Sequence, residues 1–179
     1  MRRSHTSYAV SVAAAILASP GCFVDDPMPD QTVFAPLSEV AESGLAMARV
    51  YAAPIPPIEP IAVHCWFVIK SADSQSIERW EVFETPTGTY GYVFLNGLEP
   101  TADVGAGGTF VVAELTGPQA DPIVEFIRSA SPDYPCKDVY VVFPGPNSNS
   151  YVQWVLDNTS WDVTLPARAI GKAVEPNCP

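Results

Sequence analysis

The sequence predicts an α+β domain: a mostly antiparallel sheet with packed helices. Three observations carry that prediction. Short apolar runs rich in Val, Ile, Phe and Trp recur between residues 61 and 115, bounded by turn-forming residues. Two segments with helical apolar spacing come later, at 119–130 and just after Asn147. The 19 prolines in 179 residues, about twice the usual ~5%, favour turns and short elements over long helices. Strands first, then helix, strand and helix, is an order that points away from a regular parallel βα repeat.

Taken in order, the chain opens with Arg2 and Arg3, an apolar run over 8–18, and the small residues Ala18, Ser19 and Gly21. This is the pattern of an export signal over 1–21, too short for a comfortable membrane span. Two cleavage readings are open. Either a signal peptidase cuts near 19–21, or Cys22 becomes a lipidated N-terminus, although Ser19 and Pro20 depart from the usual lipoprotein pattern. Residues 22–60 read as a tether, a short helix and a strap. The tether is acidic and proline-broken at 25–30. The helix spans 37–51, follows Pro36 and is weakened by Gly44. Residues 54–60 (Pro-Ile-Pro-Pro-Ile-Glu-Pro) predict extended polyproline backbone.

A single globular domain is expected over 61–179. Residues 61–70 form a nearly continuous apolar strand, buried on both faces. Strands at 80–84 and 90–95 flank Pro86-Thr87-Gly88 as a hairpin. A Gly-rich loop spans 97–108, and 109–115 is a further strand. In the helix at 119–130, Ile123, Phe126 and Ile127 share a face and Pro122 sits in the first turn, where it is tolerated. A strand is expected at 138–143, and the tail from Trp161 onward reads as irregular.

The net charge of −11 becomes more negative once a leader holding two arginines and no acid is removed. Such a field repels phosphate backbones and anionic headgroups, so no nucleic-acid partner is expected. Membrane association is expected only through a lipid on Cys22. Export also permits disulfides among Cys22, Cys65, Cys136 and Cys178. Cys136 and Cys178, both beside prolines in irregular segments, are the preferred pair. Cys65, inside an apolar strand, reads as a buried free thiol.

The chemistry concentrates in Pro144-Gly145-Pro146-Asn147-Ser148-Asn149-Ser150-Tyr151. A turn that cannot be helical opens there into an amphipathic run that can. Ser148 therefore sits at a helix mouth, where backbone N–H groups are free and the dipole is positive. It is either part of a cap or a nucleophile. A helix N-terminus helps an anion by about 0.3–1 kcal/mol, far too little to ionise an alcohol. A nucleophilic Ser148 needs a base, and with the leader removed His64 is the one histidine left. Glu81 or Glu84 would orient the ring, and Asn147 or Asn149 would steady the site or donate to an oxyanion. Cys65 is a poor alternative, because adjacent strand residues point to opposite faces and His64 cannot readily deprotonate its neighbour. A single histidine also argues against zinc; no metal and no cofactor are expected.

Pro-Gly-Pro-Asn-Ser-Asn at 144–149, with Leu165-Pro166-Ala167-Arg168-Ala169-Ile170-Gly171-Lys172, resembles an uncharacterised bacterial domain family over about 62–172. More distantly, Asn147-Ser148-Asn149-Ser150-Tyr151 resembles the Asn-Cys-Asn-Thr-Phe segment of permuted papain-like (PPPDE) peptidases, and a related motif of lecithin–retinol acyltransferase-like proteins. The strand His64-Cys65-Trp66-Phe67-Val68 resembles their histidine strand. That resemblance implies a circularly permuted papain-like fold with His64 and Ser148 as the reacting pair. Ser148 stands where those families carry cysteine.

The sequence reading is thus an exported envelope domain, in the periplasm, cell envelope or secreted. It is read as a non-catalytic module binding an envelope ligand or protein in a cleft beside Asn147, Asn149 and Trp66. The alternative is a serine-dependent amidase, esterase or acyltransferase using Ser148 and His64.

Overall fold

The computed structural model describes residues 44–84 and 91–178. The expected leader, tether and hairpin turn at 86–88 lie outside the described residues. Five strands form one sheet: β1 (Met47–Pro54), β2 (Val63–Lys70), β3 (Glu78–Glu84), β4 (Gly91–Leu95) and β5 (Phe110–Thr116). Their order across the sheet is β4-β3-β2-β1-β5. Every pairing is antiparallel, with Tyr51 opposite Trp66, Phe67 opposite Trp80 and Trp80 opposite Leu95. Two helices follow, α1 (Asp121–Ala130) and α2 (Ser148–Asp157), with a short 3-10 turn after α1. The α+β class with an antiparallel sheet is the architecture found.

Residue alternation sorts the strands onto two faces. Ala48, Val50, Ala52, Cys65, Phe67, Ile69, Trp80 and Val82 build the main core with α1 and α2. From α1 come Ile123, Val124 and Ile127, with Pro122 in the first turn as expected. Phe126 is only partly buried and packs on Trp154 at 5.5 Å. From α2 come Tyr151, Val152, Val155 and Leu156. The opposite face carries Met47, Tyr51, Ala53, Trp66 and Val68. The segment after β4 covers it: the Trp66 indole donates to the Pro100 carbonyl at 2.9 Å, and Arg79 donates to the carbonyls of Glu99 and Ala102. β2 is buried along its whole length, which explains its unbroken apolar sequence.

Three expected elements differ from the structure. The predicted helix over 37–51 is not formed in its described part: 47–51 is strand β1, and residues 37–43 lie outside the described set. Gly44 at φ +77° interrupts the helical path. Pairing with β2 on one side and β5 on the other then outweighs the helical propensity of Met-Ala-Arg-Val-Tyr-Ala-Ala. Residues 47–54 thus belong to the sheet, so the folded unit starts ahead of Ile61. The proline-rich 54–60 segment is a compact turn rather than a strap, with Ile58 N–H bonded to the Ile55 carbonyl and Ala62 N–H to that of Ile58. The expected strand at 138–143 is irregular. It has no ladder partner among the described residues, and Val141 N–H closes a tight loop onto the Pro146 carbonyl at 2.8 Å.

Cys136 and Cys178 are joined, as the sequence reading preferred, across a separation of 42 residues. Cys65 is free and buried. Cross-linking a loop of that length restricts the unfolded chain by about 2–4 kcal/mol. Replacing both cysteines by serine should therefore lower the unfolding free energy by that amount in urea titrations, with the far-UV circular dichroism retained.

Candidate functional site

The mouth of α2 is built from the polar residues that the sequence singled out. Asn147 is the N-cap: its extended backbone ends the turn, and its side-chain oxygen accepts from Asn149 N–H at 2.9 Å. Ser150 completes a capping box, its hydroxyl oxygen accepting from Asn147 N–H at 3.2 Å. The rest of the polar inventory reaches outward to other parts of the chain. Asn147 Nδ2 donates to the carbonyls of Val142 and Ile170. Asn149 Nδ2 donates to Val63 at 2.9 Å and Ile170 at 2.8 Å. The Ser150 hydroxyl donates to the Gly171 carbonyl at 2.7 Å. Asn147, Ser148, Asn149 and Ser150 are all buried.

The second motif is the counterpart of this cluster. The 165–172 segment crosses the helix mouth, and Val63 N–H donates to the Arg168 carbonyl at 3.0 Å, tying it to the start of β2. Lys172 holds the carbonyls of Leu165 and Pro166. Gly171 sits at φ +98°, and a Cβ there would lie 2.5 Å from Asn147 Nδ2. Two motifs separated in sequence are thus one clamp: the first supplies the side-chain donors and the second the carbonyls. Within this clamp Asn149 Oδ1 is a buried acceptor with no hydrogen-bond partner among the described residues.

His64 lies one residue beyond Val63, so imidazole and helix mouth occupy the same end of the sheet. The ring itself projects from the face carrying Trp66, opposite the one that α2 packs on. It stacks on Phe83 at 4.6 Å. Its Nε2 meets Glu81 Oε2 at 2.9 Å. A carboxylate only accepts, so in this hydrogen bond Nε2 is the donor. Glu81 is fully buried and is also gripped by Arg79, whose Nε and Nη2 donate at 2.6 and 2.7 Å. The Arg79 guanidinium lies 4.1 Å above the Trp66 ring. Trp66 is fully buried beneath the 96–108 segment. Between Glu81 and Glu84, left open by the sequence, the ring's hydrogen bond selects Glu81.

The ring's hydrogen bond goes to Glu81, and none joins it to Ser148. The Ser148 hydroxyl neighbours that of Tyr140. Burial, helped by the nearby Glu84 charge, pushes the Tyr140 phenol up to about 12, while Ser148 acts in the other direction. Tyr140 is therefore a neutral hydroxyl at physiological pH. Burial also pushes the Cys65 thiol up to about 12, against the pull of Lys172, so it is not a ready nucleophile. Among the described residues no group of three or more His, Cys, Asp or Glu side chains is placed to hold a metal ion.

Sequence reasoning passed over Arg79 and Tyr140. Arg79 and Glu81 carried a readable signal, since i and i+2 on a strand share a face. Tyr140 carried none, because the segment around it reads as a strand. A groove of about 460 Å³ runs between α2 and the tail, lined by Gln153, Trp154, Asp157, Val163 and Val174. Neither Ser148 nor His64 lines it.

Gly171→Ala tests the clamp. The substitution forces a side chain into a left-handed conformation and against Asn147, so stability should fall by roughly 2–4 kcal/mol in denaturant titrations.

A profile of the family described as "Protein of unknown function (DUF3750)" matches residues 45–174. The match begins ahead of the 62–172 stretch expected from the motifs and takes in β1, in keeping with that strand's place in the sheet. Searches of curated proteins and of solved structures return no match. With most of its length covered, from the start of β1 through the Gly171 clamp, the chain belongs to the DUF3750 family of proteins of unknown function.

Proposed function

We propose that this chain is an exported envelope domain acting as a non-catalytic binding or structural module, with a core resembling the permuted papain-like fold. One observation carries the non-catalytic reading: the side-chain donors of Asn147, Asn149 and Ser150 are engaged by the chain's own backbone, while Ser148 faces the Tyr140 hydroxyl. Asn147, Asn149 and Ser150 donate to the carbonyls of Val63, Val142, Ile170 and Gly171. In this reading the motif is kept as a clamp, and a serine is sufficient where a peptidase would need a thiol. The groove along α2, or the helix mouth itself, is where an envelope ligand or protein would dock. Export rests on the basic and apolar leader over 1–21, with Cys22 as a candidate lipid site.

A second reading has one observation of its own. Glu81 holds His64 through Nε2 and leaves Nδ1 outside that hydrogen bond, the arrangement in which a carboxylate orients an imidazole in a catalytic triad. A serine-dependent amidase, esterase or acyltransferase would then require the His64 ring to turn toward Ser148.

Fluorophosphonate labelling separates the two. The non-catalytic reading predicts no adduct on Ser148 in folded protein, and no hydrolysis of amide or ester substrates. An adduct on Ser148 that disappears in His64→Ala would overturn it.

A further inference from the structure

The helix mouth is rimmed by apolar side chains that the fold leaves in water. Val141, Val142 and Phe143 are consecutive and 38%, 56% and 73% exposed; Ile61 is 61% exposed. Asn147 and Asn149 link the backbone beneath them. Asn147 Nδ2 joins the Val142 carbonyl to that of Ile170, and Asn149 Nδ2 joins Ile170 to Val63, two residues beyond Ile61. Three consecutive exposed apolar residues are uncommon on a soluble surface without a role. The backbone around them is already satisfied at Val141 N–H, bonded to Pro146, and at the Val142 carbonyl. Residues 139–156 hold no charged side chain. The side chains of this loop can therefore leave water without stripping a charge of its own of hydration, while Glu59 near Ile61 and Glu84 near Tyr140 would have to stay in water.

We propose that the Val141–Val142–Phe143 loop, with Ile61 beside it, docks the domain onto the interfacial region of a lipid bilayer. Size decides between occupants. The four side chains expose on the order of 400 Å², within the range of a monomer's largest patch. That is about half of the ~800 Å² that each partner gives to a standard protein interface. A second copy would also bring another −11 charge against the first. A bilayer needs less area, because a weak apolar contact becomes effective when a second anchor holds the protein nearby. The chain ahead of the described residues can supply that anchor. Gly44 lies 22 residues beyond Cys22. The inference rests on the exported reading above, and it adds a contact to the lipid considered for Cys22. The acidic chain makes zwitterionic headgroups the suitable surface.

The test is co-sedimentation of the full chain with phosphatidylcholine vesicles, wild type against the double variant Val142→Ser/Phe143→Ser. Both positions are exposed, so the fold should persist; circular dichroism checks this, and Phe143→Trp serves as a second, conservative variant. Loop docking predicts at least a tenfold weaker apparent binding for the double variant, and binding by Phe143→Trp at least as tight as wild type. Equal binding by all three proteins would overturn it, since the leader alone would then explain adsorption. So would a wild-type dimer in sedimentation equilibrium that the double variant abolishes, which would assign the patch to a second copy. Export is tested separately: a cytoplasmic location in fractionated cells would overturn it and leave the vesicle result standing.

Discussion

The amide of Asn149 is the contact on which the arrangement of this domain turns. Its two protons reach the carbonyls of Val63 and Ile170, so one side chain fixes the start of β2, the mouth of α2 and the crossing tail segment in a single place. The orientation of the amide is set by chemistry: both neighbours are acceptors, so the nitrogen must face them. Asn147 and Ser150 add the carbonyls of Val142 and Gly171 to the same cluster. Satisfying buried carbonyls in irregular segments is what a fold rich in prolines and short of long elements requires. Gly171 allows the closest of these approaches, and Cys136–Cys178 secures the tail beyond it.

On the other face of the sheet a different constraint applies. Glu81 is fully buried, in a region of low dielectric where a carboxylate is costly unless it is paired. It is tolerated there because Arg79 meets it with two hydrogen bonds and His64 with a third. Arg79 in turn holds the carbonyls of Glu99 and Ala102, so the ion pair also fastens the covering loop over Trp66. The imidazole is therefore part of a network that organises this layer. That network contains an arrangement a catalytic triad would use, and its position across the sheet from α2 is why the hydrolase reading ranks second.

How much of this was readable in advance depended on whether the signal was local. The buried run of β2, the placement of Pro122 in the first turn of α1, the helix start after Asn147 and the Cys136–Cys178 pair all follow from residue patterns over a few positions. β1 was misread as helix because its alanines have no strand signature, and only pairing on both edges makes it a strand. The 138–143 segment is misread in the opposite sense: its composition is strand-like, yet among the described residues no edge accepts it and the Pro144–Pro146 turn folds it back. The site shows the same division. Asn147, Ser148 and His64 stand out in the sequence, whereas the partners that give them meaning are backbone carbonyls far along the chain, which have no sequence signature at all.

The direct measurement of the clamp is the unfolding free energy of Asn149→Ala beside that of Ser148→Ala. Removing the Asn149 amide leaves the Val63 carbonyl buried and without its side-chain donor, a defect that costs about 1–3 kcal/mol, whereas Ser148 gives up only its contact with Tyr140. Asn149→Ala should therefore be the less stable protein by roughly 2 kcal/mol, with Ser148→Ala close to wild type. Equal stability of Asn149→Ala and wild type would contradict a structural role for the motif and return it to the question of catalysis.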